Sequence, residues 1–227
     1  MPTILLIRHG ESLSNARKPT SCPKFVELTE NGKKQAEAIA QHLQEAQLIP
    51  DLIVTSSYFR TKLTAEPTGL VFPSTPKNEW PVHEFTYLSS WHDHISTIEE
   101  RQPAVEAYWE LADPEYVDDP KPGSPESESF KQFIKRVLQV REYLQNTELN
   151  SIAIFSHEQF ITAFRWLSES DFLQITSESM QEFRTFLKAN PVPNGAIVQA
   201  QRCRGYDNWR YKMITSHLEN LQPVIAE

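Results

Sequence analysis

Short hydrophobic runs alternate with amphipathic stretches along most of this chain. Ile4-Leu5-Leu6-Ile7 predicts a buried strand just inside the N-terminus. Thr29 is a plausible helix cap, and Ala36, Ile39, Ala40 and Leu43 then recur at helical spacing, with Lys33, Lys34, Glu37 and Gln41 on the other faces. Asp51–Thr55 predicts a second buried strand. Tyr58 to Ala65 follows as a helix that Pro67 is expected to stop. This repeat of strand, loop and helix predicts parallel strands joined by crossover helices.

Residues 72 to 125 are less regular. Trp80–Phe85 is expected to form a short strand, Ile95–Leu111 to be partly helical, and Asp113–Pro125, rich in acid and proline, to be an exposed connector. The hydrophobic content here is too scattered for a separate core, so residues 80 to 125 read as an insertion or lid on one domain spanning 1–227. Regular patterning resumes with Ser124-Pro125-Glu126 as a helix start. The apolar stripe of that helix is Phe130, Phe133, Ile134, Val137, Leu138 and Leu144. Ser151–Ser156 predicts a third buried strand, followed by helices from about Glu158 to Leu167 and from Ser177 to Leu187. Ala196–Ala200 and Trp209–Met213, joined by a turn at Gly205–Asn208, predict an antiparallel hairpin at a sheet edge. The fold class is α/β: a three-layer α/β/α sandwich around a mixed, mainly parallel sheet.

Composition narrows the function. With 39% hydrophobic residues in 227, the chain has material for a sizeable core. No run reaches the length of a membrane span and the N-terminus lacks a secretory pattern, so a cytoplasmic protein is expected. Cys22 and Cys203 carry no reactive signature and fit a reducing compartment. The net charge of −8 disfavours nucleic acid and anionic membranes as partners. An anionic substrate would need a local cationic pocket.

Such a pocket is written at the strand ends. The first strand ends in Arg8-His9, with Gly10 to turn the backbone and Asn15 to add a donor. The second runs through Ser56-Ser57 into a helix carrying Arg60, and the third ends in His157. If the strands are parallel, all these groups face one edge of the sheet, where open α/β sheets place their chemistry. Guanidiniums fork onto phosphate oxygens and an imidazole can attack phosphorus, so a phosphoryl ligand suits the set. His83, His92 and His94 invite a metal reading, but no third ligand has a clear spacing.

These residues resemble the histidine phosphatase superfamily, also called phosphoglycerate mutase-like. Arg8-His9-Gly10-Glu11-Ser12 with Asn15 is similar to its signature loop. Leu28-Thr29, Gly32 and Gln35-Ala36 resemble its first helix start. Ser56-Ser57 with Arg60 and Thr64-Ala65 resembles its second phosphate-binding segment. Glu84 resembles its acid, Ser156-His157 its second histidine, and Asn194-Gly195 a late turn. The resemblance implies His9 as a nucleophile forming a phosphohistidine. Arg8, Arg60, His157 and Asn15 would hold the phosphoryl group, and Glu84 would be the proton donor, with Glu79 and the carboxylates of the lid as its rivals. It implies neither metal nor cofactor. A small phosphorylated metabolite is the default substrate, since a phosphoprotein would need an open, shallow mouth. Nearby arginines oppose protonation of Glu84, whereas burial and bound phosphate favour it. A phosphatase is expected, because Tyr58-Phe59-Arg60-Thr61-Lys62 is not followed by the basic segment of mutases. A mutase and a non-catalytic phospho-ligand module are the alternatives. The edge hairpin makes a homodimer possible.

Overall fold

The computed structural model describes residues 2–88, 95–118, 127–169, 174–202, 209–219 and 221. A six-stranded sheet runs through its middle. The strands are β1 (Thr3–Arg8), β2 (Leu52–Thr55), β3 (Lys77–Glu79), β4 (Ser151–Ser156), β5 (Ile197–Arg202) and β6 (Trp209–Ile214), in spatial order β3-β2-β4-β1-β5-β6. The first four are mutually parallel, and β5 and β6 close one side as the expected antiparallel pair. Around it lie α1 (Glu30–Glu45), α2 (Phe59–Val71), α3 (Ile98–Leu111), α4 (Phe130–Gln145), α5 (Glu158–Glu169) and α6 (Ser177–Ala189).

β1, β2 and β4 are apolar through their middle because both of their faces are covered, whereas the edge strand β3 is polar and exposed. Successive side chains alternate between two cores. Ile4 and Leu6, Leu52 and Val54, and Ile152 and Ile154 join the larger core with Phe133, Val137, Phe160 and Phe164 of α4 and α5. Leu5, Ile7, Ile53, Ala153 and Phe155 enter the smaller one with Ile39 and Leu43 of α1 and Ala65 of α2. The two cores on opposite faces make the three layers. No described helix is long and apolar enough to cross a membrane.

Several local expectations need correction. Pro67 does not stop α2, which runs on to Val71. A proline removes one helical hydrogen bond, and here buried Ala65, Thr68 and Gly69 on either side hold the helix in place. Trp80–Phe85 is not a strand. The edge strand comes earlier, at Lys77–Glu79, and after it Pro81 offers no N–H while the Val82 N–H turns back to Trp80 O at 2.7 Å. Residues 127–129 are not helical, so α4 does not begin at Ser124-Pro125-Glu126. Ser129 caps it, in a reciprocal capping box with Gln132. Leu138 leaves the apolar stripe of α4, at 38% exposure. Of the insertion, Phe85, Tyr87, Tyr108 and Trp109 belong to the main core. The segment Trp91–His94, residues 119–126, Cys203 and the turn Gly205–Asn208 lie outside the described residues.

Candidate active site

The parallel register sets the site. Arg8 pairs with Ser156 and Thr55 with Phe155, so β1, β2 and β4 end at one level. His9, Ser56 and His157 each follow directly. The His9 and His157 rings lie 5.1 Å apart, edge to face.

The loop after β1 is held by backbone contacts. A Cβ on Gly10 would lie 2.4 Å from Gly32 O, and one on Gly32 would lie 2.1 Å from Glu11 O. Gly10 is therefore required for close approach of the α1 N-terminus. Thr29 caps that helix and donates to the Glu11 carboxylate at 2.6 Å. From the other side Gly195, at φ +77°, donates its N–H to Arg8 O and His9 O at 3.2 Å.

His9 is 3% exposed. Its Nδ1 lies 2.7 Å from Gly10 O, which can only accept, so Nδ1 carries the proton and Nε2 carries the lone pair. Arg60 Nε–H donates to that Nε2 at 2.9 Å. A second Arg60 nitrogen, Nη2, donates to His157 Nδ1 at 2.9 Å, and Nη1 donates to Pro23 O at 2.7 Å. His157 must then carry its proton on Nε2, which donates to Ser56 Oγ at 2.8 Å. Burial first, and the Arg60 charge second, hold both imidazoles well below the ordinary histidine value. Burial likewise brings Arg60 down to about 10.

Arg8 is paired with Glu158, the first residue of α5, at 2.9 Å. Asn15 Oδ1 accepts from Ser12 Oγ at 2.8 Å and from Asn194 Nδ2 at 3.1 Å. With its oxygen so engaged, Asn15 keeps its amide N–H groups for donation, and the residue lines the cavity. Glu84 accepts from the Gln159 N–H, in the first turn of α5, at 3.1 Å and from the Phe85 N–H at 3.1 Å. Burial raises its carboxyl above the usual range, and this outweighs the opposing pull of Arg60.

Arg8, His9, Asn15, Arg60 and Glu84 line one cavity of about 340 Å³. His157 does not. It is fully buried, and it meets the cavity through residues that line it: the Arg60 guanidinium and the His9 and Tyr58 rings. Glu79, the rival acid, is bound to Lys62 at 2.7 Å and lies outside the cavity wall. Sequence reasoning missed Glu158, Gln159 and Arg101, which also line it. Arg101 stands among acids in Glu99-Glu100-Arg101, and no pattern marks it. Among the described residues, no three His, Cys, Asp or Glu side chains are grouped to hold a metal ion. What the arrangement offers chemically is a neutral imidazole with a defined lone pair, guanidiniums around it, and a carboxyl biased towards its protonated form.

Comparisons with known proteins agree with this architecture. A 2,3-bisphosphoglycerate-dependent phosphoglycerate mutase of Streptomyces avermitilis is 28% identical over 160 residues, covering 60% of this chain and 62% of that one. The chain thus spans less than two thirds of that curated relative. Among solved structures, the alpha-ribazole phosphatase of Shigella flexneri superposes with a TM-score of 0.66 at 18% identity, covering 95% of this chain and 96% of that one. The phosphoserine phosphatase of Entamoeba histolytica, in complex with 3-phosphoglyceric acid, gives 0.66 at 20% identity over 96% and 100%. These likenesses establish a shared fold. The family profile of the histidine phosphatase superfamily (branch 1) matches residues 4–186, and with more than half its length so matched, this chain belongs to that superfamily.

Proposed function

We propose that this protein is a metal-independent phosphatase that hydrolyses a small phosphomonoester through a phosphohistidine on His9. The observation that carries the reading is the bonding of His9. Its Nδ1–H is committed to Gly10 O, so Nε2 is the nucleophilic atom, in a cavity it shares with a carboxyl raised by burial.

Arg60 gives up its bond to His9 Nε2 and takes phosphoryl oxygens, together with Arg8 and the Asn15 amide. His157 orients Arg60 from behind. The Nε2 lone pair forms the N–P bond as the bond from phosphorus to the leaving oxygen breaks. The Glu84 proton passes to that oxygen, and the alcohol departs. Glu84, now a carboxylate, takes a proton from water, whose oxygen attacks phosphorus. The N–P bond breaks, restoring neutral His9 and releasing phosphate.

The mutase name of the curated relative supports a second reading, in which the phosphoryl group returns to a bound sugar acid. Incubation with 4-nitrophenyl phosphate and chelator tests the first: steady release of phosphate, lost in His9→Ala, together with an acid-labile phosphoenzyme. Interconversion of 2- and 3-phosphoglycerate without phosphate release would establish the mutase instead. Tight binding with neither reaction would leave only a binding module.

A further inference from the structure

Arg101 is a third guanidinium in the cavity wall, contributed by α3 from the irregular middle of the chain. Its placement is fixed. Thr20 and Ser96 exchange backbone hydrogen bonds, both 2.9 Å, which ties the start of the α3 segment to the loop after His9. Arg101 Nη1 donates to Ser96 O and to Ser96 Oγ, both at 3.0 Å, and Nη2 donates to Ser14 Oγ at 3.1 Å. Ser14 is the neighbour of Asn15, so Arg101 is held beside the loop that brings Asn15 to the same cavity.

Every one of these partners is neutral. Arg8 is neutralised by Glu158, but Arg101 has no carboxylate within 4.0 Å among the described residues. The two acids beside it in sequence act on it only as charges beyond pairing distance, and each has a nearer partner. Glu99 pairs with Arg17 at 3.3 Å, and Glu100 accepts the Thr97 N–H at 2.7 Å in the helix cap. Three of the five guanidinium N–H groups are used, which leaves Nε–H and one Nη2–H. A guanidinium presents such donors in a planar fork that matches a carboxylate. Tyr87, Leu88, Ile98 and Val105 supply apolar wall, and a cavity of about 340 Å³ is of the size that takes a small molecule.

We infer that Arg101 binds a carboxylate of the substrate, so that the phosphomonoester taken by the His9 site is a small phosphorylated carboxylic acid. This rests on the phosphatase reading above, and Arg101 is the residue that sets specificity. The matched probes are 3-phosphoglycerate and glycerol 3-phosphate, which differ only by a carboxylate in place of a hydroxymethyl. The wild-type protein is expected to favour the acid in kcat/KM by roughly 10- to 100-fold, the size of one charge-assisted hydrogen bond. The ratio is expected to collapse towards one in Arg101→Met and to fall part-way in Arg101→Lys, which keeps the charge and loses the fork. A wild-type ratio near one, a ratio that survives in Arg101→Met, or a preference for propane-1,3-diol bisphosphate over the acid would overturn the assignment. Should Arg101→Met fail to fold, the wild-type and Arg101→Lys ratios still decide it. Should no probe be turned over at all, the phosphatase reading fails, and calorimetric binding of the same two probes still tests Arg101.

Discussion

Replacing Arg136 with methionine isolates what fixes Glu84. Arg136, on α4, makes a two-pronged pair with Glu128: Nε donates to Oε2 at 3.0 Å and Nη2 donates to Oε1. The pair is almost enclosed, with side-chain exposures of 10% and 15%. Arg136 Nη1 also donates to Pro81 O and His83 O, each at 2.9 Å, while the Glu128 N–H donates to Thr86 O at 2.8 Å. The clamp therefore grips the chain on both sides of Glu84. Arg136→Met strands the Glu128 carboxylate, whose remaining neighbour His83 Nε2, at 3.8 Å, is held below the ordinary histidine value first by burial, which the substitution leaves in place, and second by Arg136. Removing one partner of a buried pair costs about 3–5 kcal/mol, and two carbonyls lose their donor besides. Urea unfolding at pH 7.5 should show a loss of about that size. Arg136→Met with Glu128→Met leaves no stranded charge, so the double variant should be more stable than the sum of the single losses predicts. In phosphate release, Arg136→Met should lower kcat more than it raises KM, because the proton donor is loosened while the guanidiniums stay. A loss under 1 kcal/mol, or strict additivity in the double variant, would refute the clamp.

Acid should destabilise the fold before the carboxylates titrate. His9, His83 and His157 are all held below the ordinary histidine value, chiefly by burial, so below about pH 6.5 the unfolded chain takes up protons that the folded one refuses. Their stabilisation is whole above pH 6.5 and declines as pH falls, at a limiting slope on the order of 4 kcal/mol per pH unit that the opposing proton of Glu84 reduces to about 3. Urea midpoints that stay level from pH 7 to pH 5 would contradict this. Gly32→Ala places a Cβ against backbone at 2.1 Å and should cost about 1–3 kcal/mol and most of the activity. Gly69→Ala, whose nearest neighbour is the flexible Lys77 Nζ at 2.4 Å, should be near neutral in thermal melts.

Continuous apolar runs and period-3.6 patterning, with the residues that end each run, carry most of the architecture. β1, β2 and β4 follow from their apolar runs, α1 from its Thr29 cap and stripe, and the meeting of His9, Arg60 and His157 from strands whose ends must share an edge if they are parallel. These features are legible because each is a local chemical preference repeated along the chain. Contacts remote in sequence decide the rest. Whether Pro67 ends a helix depends on the packing around Ala65, Thr68 and Gly69. Whether His157 faces a ligand or stands behind Arg60 depends on a bond between residues 97 apart in sequence. The pairing of Arg8 with Glu158, the clamp on the Glu84 loop and the reach of Arg101 into the cavity have no spacing to betray them, because hydrogen bonds and ion pairs recognise proximity in space and leave no period in the sequence.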